Sequence, residues 1–488
     1  MYLSMYICNI NTIILMIGRI EQTKAMEKSI TAKRSAFVAI TGRRRVGKTF
    51  LIRQVYEKNF CFTVTGIQNT AVQTQINNFL NKLKEYSPKQ PIVGKINSWQ
   101  DVFILFKKYL ESLSKTKKQV IFIDELPWMA TAKSGFIQLL AHLWNDYLSK
   151  EKHFVLVICG SATSWITQKI INDKGGFHNR VTLPLHLKPF TIAETKQFLL
   201  SKNINHTPTG IAEIYMIMGG LPYYLEQIEK GESVSKTIER LFFSETGILK
   251  NEFQNLYKAL FNNWENHEAL VRTLALSHQG LTREELIQKS KVQAGGPFTR
   301  AMYDLVVTGF VTETAPFGKR KRGTLYRLAD EYSVFYHRFI KGNEKKDSAI
   351  WQTIANSQKY KIWRGFAFET LCLKHIDEIK NALGIRNVYT EIDSFSKQGD
   401  EKESGFQIDI LIDRKDATIN ICECKFYESN FEITKKYAQE IKKRKAAFIK
   451  FTNTKKLVLN TFIANEDVLE SPYSLEVVDN FINIKALM

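Results

Sequence analysis

A chain of 488 residues, 44% of them hydrophobic, has enough apolar material for roughly two to four globular domains and too much for a disordered tail. The formal charge of +20 is uneven: residues 351–488 hold 21 basic and 20 acidic side chains, which leaves 48 against 29 for residues 1–350. That field excludes an acidic, self-repelling chain and suits a polyanion, nucleic acid before an acidic membrane surface, with a plainly lysine-rich composition as the bland alternative.

The apolar run from Ile10 to Ile17 is short, broken by Asn11 and Thr12, and has no basic flank, so it is expected neither to span a membrane nor to act as a leader. Six cysteines (Cys8, Cys61, Cys159, Cys372, Cys422, Cys424) show no CxxC pair, which argues against zinc and fits a reducing cytoplasm. Phe37 to Thr41 reads as a buried strand and Phe50 to Tyr56 as a helix. Between them, Gly42, Arg43, Arg44, Arg45, Val46, Gly47, Lys48 and Thr49 fit GxxxxGK[ST], the phosphate-binding loop. Its glycines let backbone N–H groups curl round phosphate oxygens, and the helix N-terminus adds partial positive charge. Lys48 would reach the β and γ phosphates and the Thr49 hydroxyl would ligate Mg2+. A nucleoside triphosphate, ATP or GTP, is therefore the expected ligand, with Mg2+ beside it.

Apolar runs at 37–41, 60–65, 119–124, 154–160 and 182–187, with helical patterns between, predict an α/β parallel sheet covered on both faces. The third run ends in Asp124 and Glu125. Asp124 is expected to hold Mg2+ and Glu125 to polarise the attacking water as general base. The fourth ends near Ser161, the candidate γ-phosphate sensor with Thr163 next; helix capping is an equally good use for either. Arg180 precedes the fifth run and is a candidate finger toward a neighbouring copy's nucleotide, the basis for expecting a homo-oligomer, although a plain surface arginine explains it as well.

Residues 191–265 read as helical, opening on the capping box Thr191 to Glu194 and broken at Gly219–Pro222. Three helices over 267–308 and a strand pair around 310–328 predict a winged helix. Its recognition helix would expose Thr299, Arg300 and Tyr303, and Lys319, Arg320, Lys321 and Arg322 would form a wing tip suited to a DNA backbone. Residues 331–358 read as a helical linker.

The last segment, 359–488, reads as a second α/β unit with a helix from Trp363 to Ile379 and strands at 406–413 and 418–426. Glu423 and Lys425 are two apart and share a strand face, and a hairpin can bring Asp409 beside them. Carboxylates that hold a metal, next to a lysine that steadies charge on phosphate, suit Mg2+-dependent phosphodiester hydrolysis. A surface salt-bridge set is the alternative use of such residues. Lys435, Lys436, Gln439 and Lys442 would line a helix approaching DNA.

Two resemblances extend these readings. IGRIE at 17–21, GRRRVGKT at 42–49, IFIDELPWM at 121–129, ICGSATSW at 158–165, GGFHNRVT at 175–182, LKPF at 187–190 and GGLPYYL at 219–225 resemble the archaeal-type, AAA-like ATPases related to the STAND class. The resemblance implies that Gly18 and Arg19 help enclose the nucleotide base and that Pro222 contacts the nucleotide from a helical lid. The pattern Asp409…Glu423-x-Lys425, with Glu369 in Trp363-Arg364-Gly365-Phe366-Ala367-Phe368-Glu369, resembles the restriction-endonuclease-like, PD-(D/E)xK superfamily and implies Glu369 as a further metal ligand.

The expected architecture is a P-loop ATPase core (1–190), helical lid (191–265), winged helix (266–330), linker (331–358) and PD-(D/E)xK nuclease-like domain (359–488). The expected function is an ATP-hydrolysing, DNA-associated enzyme coupled to a Mg2+-dependent nuclease. The alternatives are a regulatory ATPase switch with a non-cleaving C-terminal adaptor and an ATPase at a membrane surface.

Overall fold

The computed structural model describes residues 17–488 apart from 89–95, 132, 262, 279, 315–316, 318–322, 344–349 and 398–404, and apart from the side chains of 396, 397 and 409. Lys319, Arg320, Lys321 and Arg322 therefore lie outside the described residues. The chain divides at Pro189/Phe190 into two compact units.

The first unit is built on five parallel strands: β1 (Ala36–Gly42), β2 (Phe60–Thr65), β3 (Gln119–Asp124), β4 (Phe154–Cys159) and β5 (Leu183–Leu187), in the order β2-β3-β4-β1-β5. Every residue of β1, β3 and β4 is buried, which is why these strands read as unbroken apolar runs rather than alternating ones. Parallel neighbours need crossovers, supplied by helices such as Lys48–Tyr56, Val72–Tyr86 and Trp99–Glu111. Phe62, Phe79, Trp99, Phe106 and Phe136 form one core beside the sheet, with Phe79 edge-on to Trp99 and Phe106. The order sets β4 between the strand that feeds the loop and the strand that ends in acids, so all three C-terminal ends share one edge.

The second unit opens with the helix Ile192–Ser201, capped reciprocally by Thr191 and Glu194. The turn before the helix Pro222–Leu225 is tight: a Cβ on Gly220 would lie 2.0 Å from the Phe190 carbonyl oxygen. Helices Trp264–Ala275, Arg283–Ser290 and Gly296–Val307 precede an antiparallel pair, β6 (Val311–Thr314) and β7 (Leu325–Leu328). The segment expected to link domains is instead core: Tyr332, Phe335, Phe339 and Trp351 are buried, and Phe335 and Phe339 meet Trp363. A second sheet follows, β8 (Thr390–Lys397), β9 (Phe406–Arg414), β10 (Thr418–Lys425), β11 (Leu457–Ala464) and β12 (Asn480–Asn483), in the order β12-β11-β10-β9-β8. The first three strands form an antiparallel meander. The helix Lys435–Thr452 crosses over to β11, which runs parallel to β10, and β12 runs parallel to β11. Among the described residues no helix is long and apolar enough to cross a membrane.

Candidate functional site

The loop 42–49 leaves β1 at Gly42, whose φ of 141° and close approach to Leu187 leave no room for a side chain: a Cβ would lie 2.5 Å from the Leu187 carbonyl oxygen. Arg45 and Gly47 adopt φ of 75° and 90°, and the curl delivers Lys48 and Thr49 to the first turn of the helix. The Lys48 ammonium donates to the carbonyls of Gly42 at 2.8 Å and Arg43 at 2.9 Å, and lies 3.5 Å from the Ser161 hydroxyl. Burial lowers its pKa, opposed by Cys159, Glu125 and Asp124. Arg19, also with positive φ, donates through Nη2 to the Val46 carbonyl at 3.4 Å, so the segment Gly18–Arg19 sits on the loop. Arg43 and Val46 are buried while Arg44 and Arg45 are half-buried.

Asp124 Oδ2 accepts from the Thr49 hydroxyl at 3.0 Å, and Oδ1 accepts from the Glu125 N–H at 2.9 Å. The Cys159 thiol also lies 2.8 Å from Oδ1. Glu125 takes a left-handed conformation, φ 46°, which turns the chain sharply after the strand. Its carboxylate accepts from Ser161 twice, from the N–H at 3.0 Å and from the hydroxyl at 2.8 Å. Ser161 thus stands between Lys48 and Glu125, and Thr163 accepts from the Gly42 N–H at 3.2 Å. Arg180 is exposed, and among the described residues no hydrogen bond or ion pair joins it to the loop. Pro222 is buried at the start of its own helix in the second unit. Cys159 was missed from sequence; a cysteine ending an apolar strand carries no signal of its partner.

In the second unit, Glu369, Gln407, Glu423 and Arg444 line one cavity of about 360 Å³. The register of β10 on β9 pairs Cys422, next to Glu423, with Ile410; the side chain of Asp409 lies outside the described residues. Glu423 receives the Lys425 ammonium at 2.8 Å on Oε1 and the Arg444 guanidinium at 2.9 Å on Oε2, and Oε1 accepts from the Tyr437 hydroxyl at 2.7 Å. Burial works to raise the Glu423 carboxyl, but Lys425 and Arg444 outweigh it and hold it below the usual range. Burial likewise opposes the Lys425 charge, and Glu423 outweighs it, so the ammonium is held above its usual range. Tyr437 and Arg444 were missed from sequence; their seven-residue spacing, two helical turns, is the signal available. The donor chemistry fits Mg2+, which takes hard oxygen ligands. Among the described residues no three acids, cysteines or histidines cluster as a metal site, so two carboxylates, Glu369 and Glu423, form the described part of the set. On the helix Gly296–Val307, Thr299, Arg300 and Tyr303 are exposed. Lys435, Lys436, Gln439 and Lys442 are exposed on the helix after β10.

An ATPase-domain family described as predominantly from Archaea matches residues 17–228. The chain is 23% identical over 397 residues to an uncharacterized protein of Methanocaldococcus jannaschii, covering 79% of this chain and 83% of that one. It is 27% identical over 191 residues to an uncharacterized ATP-binding protein of the same organism, covering 38% of this chain and 51% of the relative. Among solved structures, the Walker-type ATPase PABY2304 of Pyrococcus abyssi aligns with a TM-score of 0.48 and 17% identity, covering 66% of this chain and 96% of that one. The ORC2 protein of Aeropyrum pernix, in its ADPNP–ADP complexes, aligns with a TM-score of 0.43 and 14% identity over 70% and 95%. With the loop, the paired acids and the parallel sheet in place, residues 17–228 carry a P-loop ATPase domain of the family found predominantly in Archaea.

Proposed function

We propose that the chain is an ATP-hydrolysing, DNA-associated enzyme whose C-terminal segment, 359–488, is a Mg2+-dependent nuclease of the PD-(D/E)xK kind. One observation carries this reading: Glu369 and Glu423 line a single cavity, with Lys425 in contact with Glu423. The meander β8-β9-β10 followed by a helical crossover to a parallel strand supports it.

In the ATPase domain, the loop N–H groups and Lys48 bind the phosphates, and Gly18 and Arg19 help enclose the nucleotide. Thr49 and Asp124 would hold Mg2+, which neutralises phosphate charge when bound. Glu125 orients a water and takes its proton. Ser161, bonded to Glu125 and beside Lys48, aligns that base and senses the γ-phosphate. Arg180 serves a neighbouring copy in a homo-oligomer.

In the C-terminal segment, Glu369, Asp409 and Glu423 would hold Mg2+, which makes bound water a nucleophile near neutral pH. Lys425 offsets negative charge gathering on the scissile phosphate. The positive excess of residues 1–350, with Arg300 exposed on the helix Gly296–Val307, supports DNA as the polyanion.

A second reading has its own support. Both Glu423 oxygens are already engaged by Lys425, Arg444 and Tyr437, which suits a non-cleaving adaptor in a regulatory switch. ATPase and nuclease assays on wild type, Lys48→Ala and Asp409→Ala, with Mg2+ and DNA of varied form, separate the two. We expect Lys48→Ala to lose ATP binding and Asp409→Ala to keep ATPase activity while losing cleavage. Wild type that never cuts any DNA leaves the switch.

A further inference from the structure

The second unit contains another cavity, of about 670 Å³, lined in part by His278, Arg327, Glu331, Arg338, Trp363 and Glu369. Three of its polar residues hold donors without acceptors. Arg327 Nε and Nη2, Arg338 Nε and Trp363 Nε1 are buried with no hydrogen-bond partner among the described residues. Trp363 is 2% exposed, so its indole N–H is fully desolvated. Of the two lining acids, Glu331 pairs with Lys374. Arg338 gives Nη1 to His278 Nε2 at 3.2 Å, and burial lowers its pKa.

Leaving charged donors unmet in the interior costs free energy. The fold nevertheless holds them there. A Cβ on Gly280, φ 78°, would lie 2.7 Å from Arg327 Cγ, so a glycine clears the way for the arginine stem. His278 packs at a tilt against Phe366, ring centroids 4.1 Å apart, which gives the cavity an aromatic wall.

We propose that this cavity binds a small organic oxyanion, a phosphate or carboxylate head received by Arg327 and Arg338 with an apolar or planar body against Phe366 and Trp363. Guanidinium forks match both head groups. The site does not depend on the nuclease reading. It does bear on the same helix, because Glu369 lines this cavity and the 360 Å³ cavity as well.

The test uses the full chain carrying Lys48→Ala, which silences the nucleotide loop. Thermal melts and calorimetric titrations are run with AMP, inorganic phosphate and citrate. At least one probe is expected to raise the melting temperature saturably, and which one does so separates phosphate from carboxylate. Adding Arg327→Met should weaken that binding about tenfold or more. Because the substitution removes two buried N–H groups that lack partners among the described residues, the probe-free double variant should melt at or above its parent. No response to any probe, or an equal response in the double variant, overturns the proposal. So does a probe-free double variant that melts well below its parent, since the protein itself would then be holding the guanidinium.

Discussion

The two candidate sites are built by different means. The nucleotide site is backbone work. Lys48 is fixed by two carbonyls of its own loop and Glu125 by a main-chain N–H as well as the Ser161 hydroxyl. The C-terminal set is side-chain work: Glu423 is fixed by Lys425 from its own strand and by Tyr437 and Arg444 from the following helix. A backbone-built site tolerates loss of a reacting group without losing shape, whereas one built from opposed charges cannot lose a member without leaving another exposed to the cost of burial.

The sharpest consequence is Glu125→Gln. The amide keeps size and can still accept from Ser161, so nucleotide binding and the melting temperature should hold. ATP turnover should fall about 10²- to 10⁴-fold, the usual worth of a positioned base. Radiolabelled or coupled ATPase assays beside nucleotide titrations read both. Equal loss of binding and turnover would make Glu125 part of the scaffold and erase the contrast.

Gly42→Ala attacks the scaffold itself. With φ at 141° and the Leu187 carbonyl 2.5 Å from the new Cβ, strand and loop must both shift. A loss of about 3 kcal/mol in denaturant unfolding, with nucleotide binding impaired although no phosphate contact is deleted, is the expected result.

These differences also decide what could be read in advance. Gly42 to Thr49 is contiguous, and Asp124 and Glu125 end an apolar run, so chain-local chemistry marked most of the nucleotide site. The five parallel strands were legible because burial on both faces leaves unbroken apolar runs. The contact of Cys159 with Asp124 was not, since it depends on β4 lying beside β3. Arg444 was hidden among the lysines of its helix. Residues 331–358 read as a linker in sequence because partners of Phe335 and Phe339, such as Trp363, come from another segment. β8 is polar in sequence and β12 is four residues long, so neither announced itself.

Arg444→Met tests the side-chain-built site. It removes one of two cations from a buried carboxylate and should destabilise the chain by about 2 kcal/mol, the scale of a hydrogen bond to a charged group. A stability unchanged in chemical denaturation would mean that Lys425 and Tyr437 suffice and that Arg444 is free for another task, such as meeting a phosphate.

Another contrast separates a buried group that is compensated from one that is not. Glu423 stays charged because cations outweigh burial, whereas His337 has no hydrogen-bond partner for either ring nitrogen among the described residues. Burial, with Lys341 and Arg272 near, pushes its pKa from 6.5 down to about 3. Below 6.5 the unfolded chain binds a proton that the folded chain refuses until about 3, so folded stability falls as pH drops through that window. The slope from this one group is about 1.4 kcal/mol per pH unit. His337→Leu removes it, so the difference in unfolding free energy between variant and wild type should move in the variant's favour by about that amount per pH unit below 6.5. A difference that stays constant with pH would mean that His337 takes up its proton in the folded state, and that the interior around Phe253 and Tyr336 admits charge after all.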